Sequence, residues 1–225
     1  MSNSSRVLLR LAILISGRGS NMEAIARACR ESRIAAQVSV VIADHPGATG
    51  VGLARQMGIE AHVVPSSAAA DRQAFELALG ECIEAYRPDL VALAGFMRVL
   101  SGGFVERYCG RILNIHPSLL PAHRGLHTHR RVLQGGDRWH GASVHFVTAE
   151  LDGGPVVLQS RVRVRAEDTE ASLSSRVLRT EHTIYPRVIG WIADGRLVWR
   201  DGRPLLDGRP LDEPVVESFD DPQNE

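Results

Sequence analysis

The sequence predicts an α/β fold: an open, mostly parallel twisted sheet with helices on both faces, followed by an antiparallel strand section. Short apolar runs alternate with helical patterns over residues 7–116. Residues 90–94 are apolar throughout, as in a parallel strand that is covered on both sides. Beyond Gly141, apolar and polar residues alternate in two neighbouring runs, which is typical of antiparallel strands.

The first half of the chain contains five predicted strands and four predicted helices. The strands are residues 7–15, 38–42, 61–64, 90–94 and 112–116. The helices are residues 22–29, 50–57, 71–86 and 104–109. Apolar residues at three- and four-residue spacings indicate the first and third helices, and Asp71 is a candidate N-cap for the third.

The second half is predicted to differ. Residues 142–147 and 156–165 alternate in polarity and are joined by Leu151-Asp152-Gly153-Gly154, so we expect antiparallel strands with one solvated face. A long helix is expected over residues 169–194, kinked at Pro186. We expect one domain over residues 6–207, with loose ends at 1–5 and 213–225, where the chain is small and polar or acidic and interrupted by proline.

Composition excludes several classes of protein. The 26 basic residues balance 26 acidic residues, which argues against a nucleic-acid-binding surface. No apolar run is long enough to span a membrane. The three cysteines are scattered without CxxC spacing, so neither a disulfide scaffold nor a zinc knuckle is indicated. We therefore expect a reduced, soluble protein of the cytoplasm.

The glycine loop Ser16-Gly17-Arg18-Gly19-Ser20-Asn21 lies between the first strand and the first helix. Backbone N–H groups at a helix start bind anions, and glycines let a phosphate approach closely. Met22 stands where a dinucleotide fingerprint requires its third glycine, and no Walker lysine is present, so a single phosphomonoester fits better. The alternative is a tight turn in which Ser20 or Asn21 caps the helix. Asp44 is either a ribose-binding acid or a turn residue.

Asn114 and His116 lie on the same face of a predicted central strand, at its carboxyl end. Ligands of open α/β sheets bind beyond such ends. An amide can donate to a developing oxyanion, and an imidazole can carry a proton near neutral pH. The alternative is a structural Asn–His pair at the rim of the sheet.

Two carboxylates are candidates for the same site. Asp152 could orient and charge a catalytic histidine, or it could simply form an Asp-Gly turn. Glu181 occupies the one polar position in an otherwise apolar helical stripe, so it needs either a ligand or an arginine partner.

A histidine cluster at His123, His127 and His129 has spacings that could bind zinc. The flanking Arg124 and Arg130 would repel a cation, and no acidic residue is close in sequence. We therefore expect no metal and favour substrate contact or ordinary loop structure.

Seven segments together resemble the phosphoribosylglycinamide formyltransferase family, the folate-dependent enzymes of de novo purine (IMP) biosynthesis. They occur in family order between Val7 and about Asp207. The segments are Ile15-Ser16-Gly17-Arg18-Gly19-Ser20-Asn21, Ala94-Gly95-Phe96-Met97-Arg98-Val99-Leu100, Leu113-Asn114-Ile115-His116-Pro117-Ser118-Leu119-Leu120-Pro121, Gly125-Leu126-His127-Thr128-His129, Gly141-Ala142-Ser143-Val144-His145-Phe146-Val147, Leu151-Asp152-Gly153-Gly154-Pro155-Val156 and Glu181-His182-Thr183-Ile184-Tyr185-Pro186.

The resemblance implies a Rossmann-like fold of the formyltransferase type, with a phosphate-binding half at about 6–110 and a catalytic, folate-binding half at about 111–207. It implies that 10-formyltetrahydrofolate is the co-substrate, that glycinamide ribonucleotide is the acceptor, and that the protein is a monomer or homodimer without a nucleic-acid or membrane partner. The amine would attack the formyl carbon directly, through a tetrahedral intermediate.

The resemblance also assigns roles to residues. Asn114 would bind the oxyanion, and His116, held by Asp152, would stabilise the same charge and move protons, partly through an ordered water. Glu181 would reach the glycinamide or ribose end of the acceptor. The phosphate would bind at Gly19, Ser20 and Asn21, and the folate would lie against Met97, Arg98, Val99, Leu100, Thr148, Ala149, Glu150 and Leu151.

Three departures affect only the finer contacts: Arg18, Leu178 and the segment Ala122-His123-Arg124 differ from the expected pattern.

Rival functions are less well supported. A formyltetrahydrofolate deformylase usually carries an additional N-terminal domain, and a methionyl-tRNA formyltransferase would need a basic C-terminal domain. A non-catalytic nucleotide-binding module or a nicotinamide oxidoreductase would leave Asn114, His116 and Asp152 unexplained.

Overall fold

The computed structural model describes residues 7–219, and its central strand β1 (Leu9–Ile15) is buried on both faces. Every second side chain from Leu11 to Ile15 packs in one apolar core, whereas Ala12 and Leu14 pack in a second core on the other face. All of these side chains are fully buried. This two-sided burial explains why the sequence of β1 is almost uniformly apolar.

Helices cover both faces of the sheet, as predicted. The first core is closed by α1 (Ser20–Arg30), α2 (Gly50–Gln56) and α6 (Glu170–Ala193), and the second by α3 (Arg72–Ala85) and α4 (Gly102–Arg107). A sixth helix that the sequence analysis did not identify, α5 (Thr128–Gly135), packs beside α6. Asp71 caps α3 as predicted, because its side chain accepts a hydrogen bond from the backbone N–H of Ala74.

Within residues 7–219 the main sheet has eight strands in the order β11-β7-β6-β5-β4-β1-β2-β3. The strands β3, β2, β1, β4 and β5 run parallel, β6 is antiparallel to both of its neighbours, and β11 is parallel to β7. Their bounds are β2 Ala36–Ala43, β3 Ala61–Val63, β4 Leu90–Leu93, β5 Ile112–His116, β6 Trp139–Phe146, β7 Val156–Arg163 and β11 Val215–Ser218. The predicted fold class is confirmed.

The prediction of a solvated face on the antiparallel strands is wrong for β6. All of its residues after Trp139 are buried. Helix α6 packs against β6, and the loop after β5 reaches it as well, because the backbone N–H of Leu120 donates to the Ser143 hydroxyl. Only Arg161 and Arg163 of β7 are exposed.

The carboxyl-terminal part differs most from expectation. Residues 197–210 form a small antiparallel sheet of β8 (Leu197–Arg200), β9 (Arg203–Leu206) and β10 (Arg209–Pro210), which the sequence analysis missed. Within the loose end expected at 213–225, Val215–Ser218 instead forms strand β11, because its backbone pairs with the free edge of β7. The boundaries of the domain and of its two halves stay predictions, and residues 1–5 and 220–225 lie outside the described residues.

No helix within the described part of the chain combines the length and apolar character needed to cross a membrane.

Helix α6 continues through Pro186. The residue before this proline, Tyr185, bonds the helix to the sheet. The fully buried Tyr185 hydroxyl lies 3.1 Å from the carbonyl oxygen of Leu93 in β4 and 3.0 Å from that of Leu113 in β5. Its single hydrogen is shared between these two carbonyls. The helix is thereby tied to the two strands that lead into the loops described below.

We predict that Tyr185→Phe lowers the free energy of unfolding by about 1–2 kcal/mol, since it leaves both carbonyls without this donor. Urea unfolding measures the change. The matched control is Tyr86→Phe, which removes a part-exposed hydroxyl bonded to His62 and should cost at most about 0.5 kcal/mol. Equal losses in the two variants would contradict the assignment.

Candidate active site

The polar residues Asn114 and His116 lie at the carboxyl end of β5, as predicted. β5 is flanked by the parallel strand β4 and the antiparallel strand β6, so both of its edges are hydrogen-bonded. His116 is buried and Asn114 is half-buried. The two do not form the structural Asn–His pair that was the alternative, because each has a different partner.

His145 is the partner of Asn114, and the sequence analysis did not assign it to the site. It lies directly opposite Asn114 in the β5–β6 ladder, and its Nε2 is 3.1 Å from Asn114 Nδ2. His145 Nδ1 donates to the carbonyl oxygen of Phe146 at 2.9 Å, so the hydrogen of a neutral ring is on Nδ1. Burial lowers the pKa of His145 and keeps it neutral.

The neutral His145 therefore accepts one hydrogen from the Asn114 amide and fixes the orientation of that amide. The second N–H of Asn114 Nδ2 is left to donate elsewhere. His145 can be assigned to the site only from the antiparallel pairing of β5 and β6, because the register of that pair sets His145 opposite Asn114.

His116 contacts two acceptors. Its Nε2 lies 3.0 Å from the carbonyl oxygen of His123, and its Nδ1 lies 3.5 Å from Asp152 Oδ2. A carbonyl can only accept, so Nε2 carries a hydrogen. Only the cationic ring, with both nitrogens protonated, offers a hydrogen to both acceptors. The Nδ1 separation exceeds a normal hydrogen bond, so this edge of the ring remains open to another oxygen.

Asp152 is held by its own backbone conformation and by a backbone donor. Its backbone is left-handed, with φ at 49°, a conformation that aspartate tolerates in turns. The N–H of Gly125 donates to Asp152 Oδ2 at 2.9 Å, and His145 Nε2 is 3.9 Å from Oδ1. The two alternatives for Asp152, a residue of an Asp-Gly turn or a partner of a catalytic histidine, are thus compatible. The turn places the Asp152 carboxylate beside His116.

The glycine loop lies where predicted, between β1 and α1. Gly19 has φ at 78° and no side chain caps α1, so the alternative in which Ser20 or Asn21 is the cap is wrong. Two strand spacings separate β1 from β5, a distance of about 10 Å. The first-turn N–H groups of α1 therefore open towards the same end of the sheet as Asn114 and His116.

Glu181 meets Asn21 rather than an arginine. Asn21 Nδ2 donates to Glu181 Oε2 at 2.6 Å, and both side chains are buried. Burial raises the pKa of Glu181, and the bond from Asn21 partly offsets that rise. Asn21 Oδ1 is buried without a hydrogen-bond partner in the described residues, which marks a place for a donor from a ligand.

The loop after β4 is fastened beside the glycine loop. The N–H of Met97 donates to Ser16 Oγ at 2.9 Å, and the guanidinium of Arg98 pairs with Asp44 at 2.8 Å. Asp44 is therefore occupied by an arginine of this loop. Two apolar side chains of the loop are exposed, Met97 at 67% and Val99 at 58%, whereas Leu100 packs into the second core.

The loop between β6 and β7 supplies the remaining predicted residues, Thr148, Ala149, Glu150 and Leu151. Leu151 is 52% exposed, like Leu126 at 69% in the loop after β5. Glu150 pairs with Arg124 and thereby joins these two loops. The β6–β7 loop reaches the loop after β5 and His116 through Glu150 and Asp152. Exposed apolar side chains on these loops are suited to a flat aromatic ligand.

The histidine cluster separates in the structure. His123 pairs with Asp137 at 2.6 Å, His129 pairs with His140 at 2.8 Å, and His127 is exposed. Among residues 7–219 no group of three or more potential ligands is arranged to hold a metal ion.

Comparison with known proteins identifies the class. The family model described as formyl transferase matches residues 9–189, so the chain belongs to the formyl transferase family. Within it, the chain is 51% identical over 203 residues to phosphoribosylglycinamide formyltransferase of Escherichia coli (strain K12), covering 90% of this chain and 96% of that protein. It is 40% identical to the enzyme of the same name from Haemophilus influenzae, over 90% and 95% of the two chains. The resemblance inferred from the sequence is confirmed.

Solved structures agree. Phosphoribosylglycinamide formyltransferase from Coxiella burnetii superposes with a TM-score of 0.89 at 42% identity, covering 93% of this chain and 99% of that one. A formyltetrahydrofolate deformylase from Pseudomonas syringae shares the fold, with a TM-score of 0.81 at 21% identity, over 88% and 66% of the two chains.

The two glycines after Asp152 are predicted to differ in their tolerance of substitution. A Cβ on Gly154 would lie 1.9 Å from the carbonyl oxygen of Phe146, whereas one on Gly153 would meet the side chain of Glu150, which can move. Gly154→Ala should therefore displace Asp152, lowering kcat at least about tenfold and stability by about 1–3 kcal/mol.

Gly153→Ala is the matched control and should retain near-normal kcat and stability. Steady-state kinetics and urea unfolding of both variants test the difference. Equal behaviour of the two would show that the backbone contact at Phe146 does not hold the Asp152 turn.

Buried histidine should make stability fall in acid. Burial, followed by the charges of neighbouring histidines and Arg176, lowers the pKa of His140 from 6.5 to about 3. Between these values the unfolded chain binds a proton that the folded protein does not. Stability is thus complete above pH 6.5 and declines by up to about 1.4 kcal/mol per pH unit for this one group.

Urea unfolding at pH 7.5, 6, 5 and 4.5 measures this slope, and His140→Gln should reduce it by about one proton. The comparison uses the pH slope, so a constant loss of stability in the variant does not affect it. An unchanged slope would mean that His140 is not buried in its neutral form.

Proposed function

We propose that this chain transfers the formyl group of 10-formyltetrahydrofolate to the amine of 5-phosphoribosylglycinamide, giving the N-formyl product and tetrahydrofolate in purine biosynthesis. The observation that carries the proposal is the meeting of Asn114, His116 and Asp152 at the end of β5, open to the start of α1. The relatives described above bear the name of this activity.

The acceptor would bind along the end of the sheet between α1 and β5. Its phosphate would take the free N–H groups around Gly19, Ser20 and Asn21, where the helix dipole favours an anion. Glu181 and the unpartnered Asn21 Oδ1 would accept hydrogen bonds from hydroxyl or amine groups of the same molecule. The amine would then lie near Asn114.

The amine attacks the formyl carbon, and the formyl oxygen becomes negatively charged. Asn114 would donate its free N–H to that oxygen, since His145 already holds the other N–H and so prevents the amide from flipping. His116 would face the same oxygen through Nδ1, with Nε2 held by His123. A preoriented amide and a cation stabilise this charge without reorganising during the step.

Asp152 would face the imidazole of His116 and accept the proton that the attacking nitrogen must lose. An ionised carboxylate is acceptor-only, and Asp152 Oδ1 lies 3.9 Å from His145 Nε2, which is beyond hydrogen-bond distance. The proton would pass directly or through an ordered water to Asp152 and from there to N10 of the folate, so that the C–N10 bond breaks and neutral tetrahydrofolate leaves.

The folate would lie against the exposed side chains of Met97, Val99 and Leu151. Arg98, Thr148, Ala149 and Glu150 line the same loops, and Leu100 supports them from the core. The folate supplies the electrophilic formyl carbon; the protein supplies orientation and charge. We further propose that the protein acts in the cytoplasm as a monomer or homodimer, without a nucleic-acid partner.

Asn114→Ala and Asp152→Ala should each lower kcat at least about 100-fold, because each removes a contact to charge that exists only in the transition state. Tetrahydrofolate release measures the rate. Asp207→Ala is the matched control, since it removes an exposed, paired carboxylate from the remote small sheet and should leave the rate unchanged. Near-normal rates in both site variants would refute the assigned roles.

The identity of the acceptor is tested by leaving glycinamide ribonucleotide out of the assay. Release of tetrahydrofolate should require glycinamide ribonucleotide and should fail with the unphosphorylated riboside, because the α1 start would then lack its anion. Equal release without any ribonucleotide would instead identify a deformylase that transfers the formyl group to water.

A further inference from the structure

The backbone of residues 123–125, which we call the bridging segment, contacts both His116 and Asp152. The carbonyl oxygen of His123 accepts from His116 Nε2 at 3.0 Å, and the N–H of Gly125 donates to Asp152 Oδ2 at 2.9 Å. The same two side chains face each other across 3.5 Å. The relative positions of the imidazole and the carboxylate therefore depend on where the bridging segment lies.

Two side chains of the bridging segment fasten it to the rest of the molecule. His123 Nε2 lies 2.6 Å from Asp137 Oδ2, and Arg124 pairs with Glu150. The Arg124 pair is exposed on both sides, at 38% and 65%, and such pairs stabilise little. The His123 side chain is 21% exposed and the Asp137 side chain is 40% exposed, so this pair is less exposed than the Arg124 pair. Asp137 also lies in the turn between α5 and β6, where its N–H donates to the carbonyl of Val132. These two features make Asp137 the firmer anchor.

The backbone conformation of His123 is one that such an anchor stabilises. Its φ is 55°, in the left-handed region that is unfavourable for a residue with a Cβ. Residues persist there when surrounding contacts hold them, and they cluster at functional sites. In His123 the side-chain bond to Asp137 holds the backbone whose carbonyl orients His116.

We propose that His123 and Asp137 are positioning residues, which set the orientation of His116 towards Asp152 through the carbonyl of His123. The proposal rests on the roles of His116 and Asp152 proposed above. It gives a purpose to the segment Ala122-His123-Arg124, whose sequence departs from the expected pattern. Neither His123 nor Asp137 would touch the substrates.

The first experiment is kinetic. Asp137→Ala should lower kcat about tenfold and leave both KM values within about twofold, since the reacting groups shift while the binding loops stay in place. Asp137→Glu should recover most of the loss. His123→Asn, which tolerates the left-handed backbone but cannot reach Asp137, should match Asp137→Ala, and the double variant should be no worse than either.

Asp207→Ala again serves as the control for loss of an exposed, paired carboxylate and should keep the full rate. Circular dichroism and urea unfolding establish that each variant folds. A normal kcat in Asp137→Ala, or additive losses in the double variant, would overturn the proposal.

The second experiment reads the geometry without catalysis. Imidazole N–H resonances of the protein labelled with ¹⁵N-histidine are recorded without substrates, and the His116 signals are assigned by their loss in His116→Ala. Asp137→Ala should shift the Nε2–H signal of His116 and accelerate its exchange with water, whereas Asp207→Ala should not.

An unchanged His116 signal in Asp137→Ala would overturn the proposal even if kcat fell. A changed signal supports the positioning role independently of rate. If His116→Ala itself retained a normal rate, the proposed catalytic role would fail while the NMR result still decided whether Asp137 positions the imidazole.

Discussion

The pairing of β5 with a parallel strand on one edge and an antiparallel strand on the other is the constraint on which the site depends. The parallel pairing of β5 with β4, and of β4 with β1, places the carboxyl ends of these three strands at the same end of the sheet. The antiparallel side sets His145 opposite Asn114 and brings the chain back through the loop that carries Asp152.

Burial then decides which polar atoms are free for chemistry. A buried polar group without a partner is costly, so most side chains of the site are held by the protein itself. His145 takes one hydrogen of Asn114, and the His123 carbonyl takes one from His116. Among the described residues of the site, the atoms that remain include the second N–H of Asn114, the Nδ1 edge of His116, Asp152 Oδ1 and the buried Asn21 Oδ1 and Asp44 Oδ1. These are the places where a ligand would compensate the burial.

The sequence predicted most elements because their signals are local. Continuous apolar runs marked the parallel strands, and Asp71 marked a helix start that the structure bears out. It failed where the determining contact is distant in sequence. The burial of β6 comes from α6 and from Leu120, and the partner of Glu181 is Asn21, 160 positions away. His145 could be named only when the register of β5 and β6 was known.

Strand β11 has a consequence for the order in which the chain can fold. It covers β7, whose edge would otherwise present unpaired backbone groups, yet Val215 lies 52 positions after Arg163 in sequence. The residues between these two strands form helix α6 and the small sheet. The edge of β7 therefore stays unpaired until this intervening segment has brought β11 back beside β7. Contacts between distant segments form slowly, so β7 spends the early part of folding as an open template for other chains. Its solvent-facing arginines, Arg161 and Arg163, are the charges that guard such an edge against aggregation.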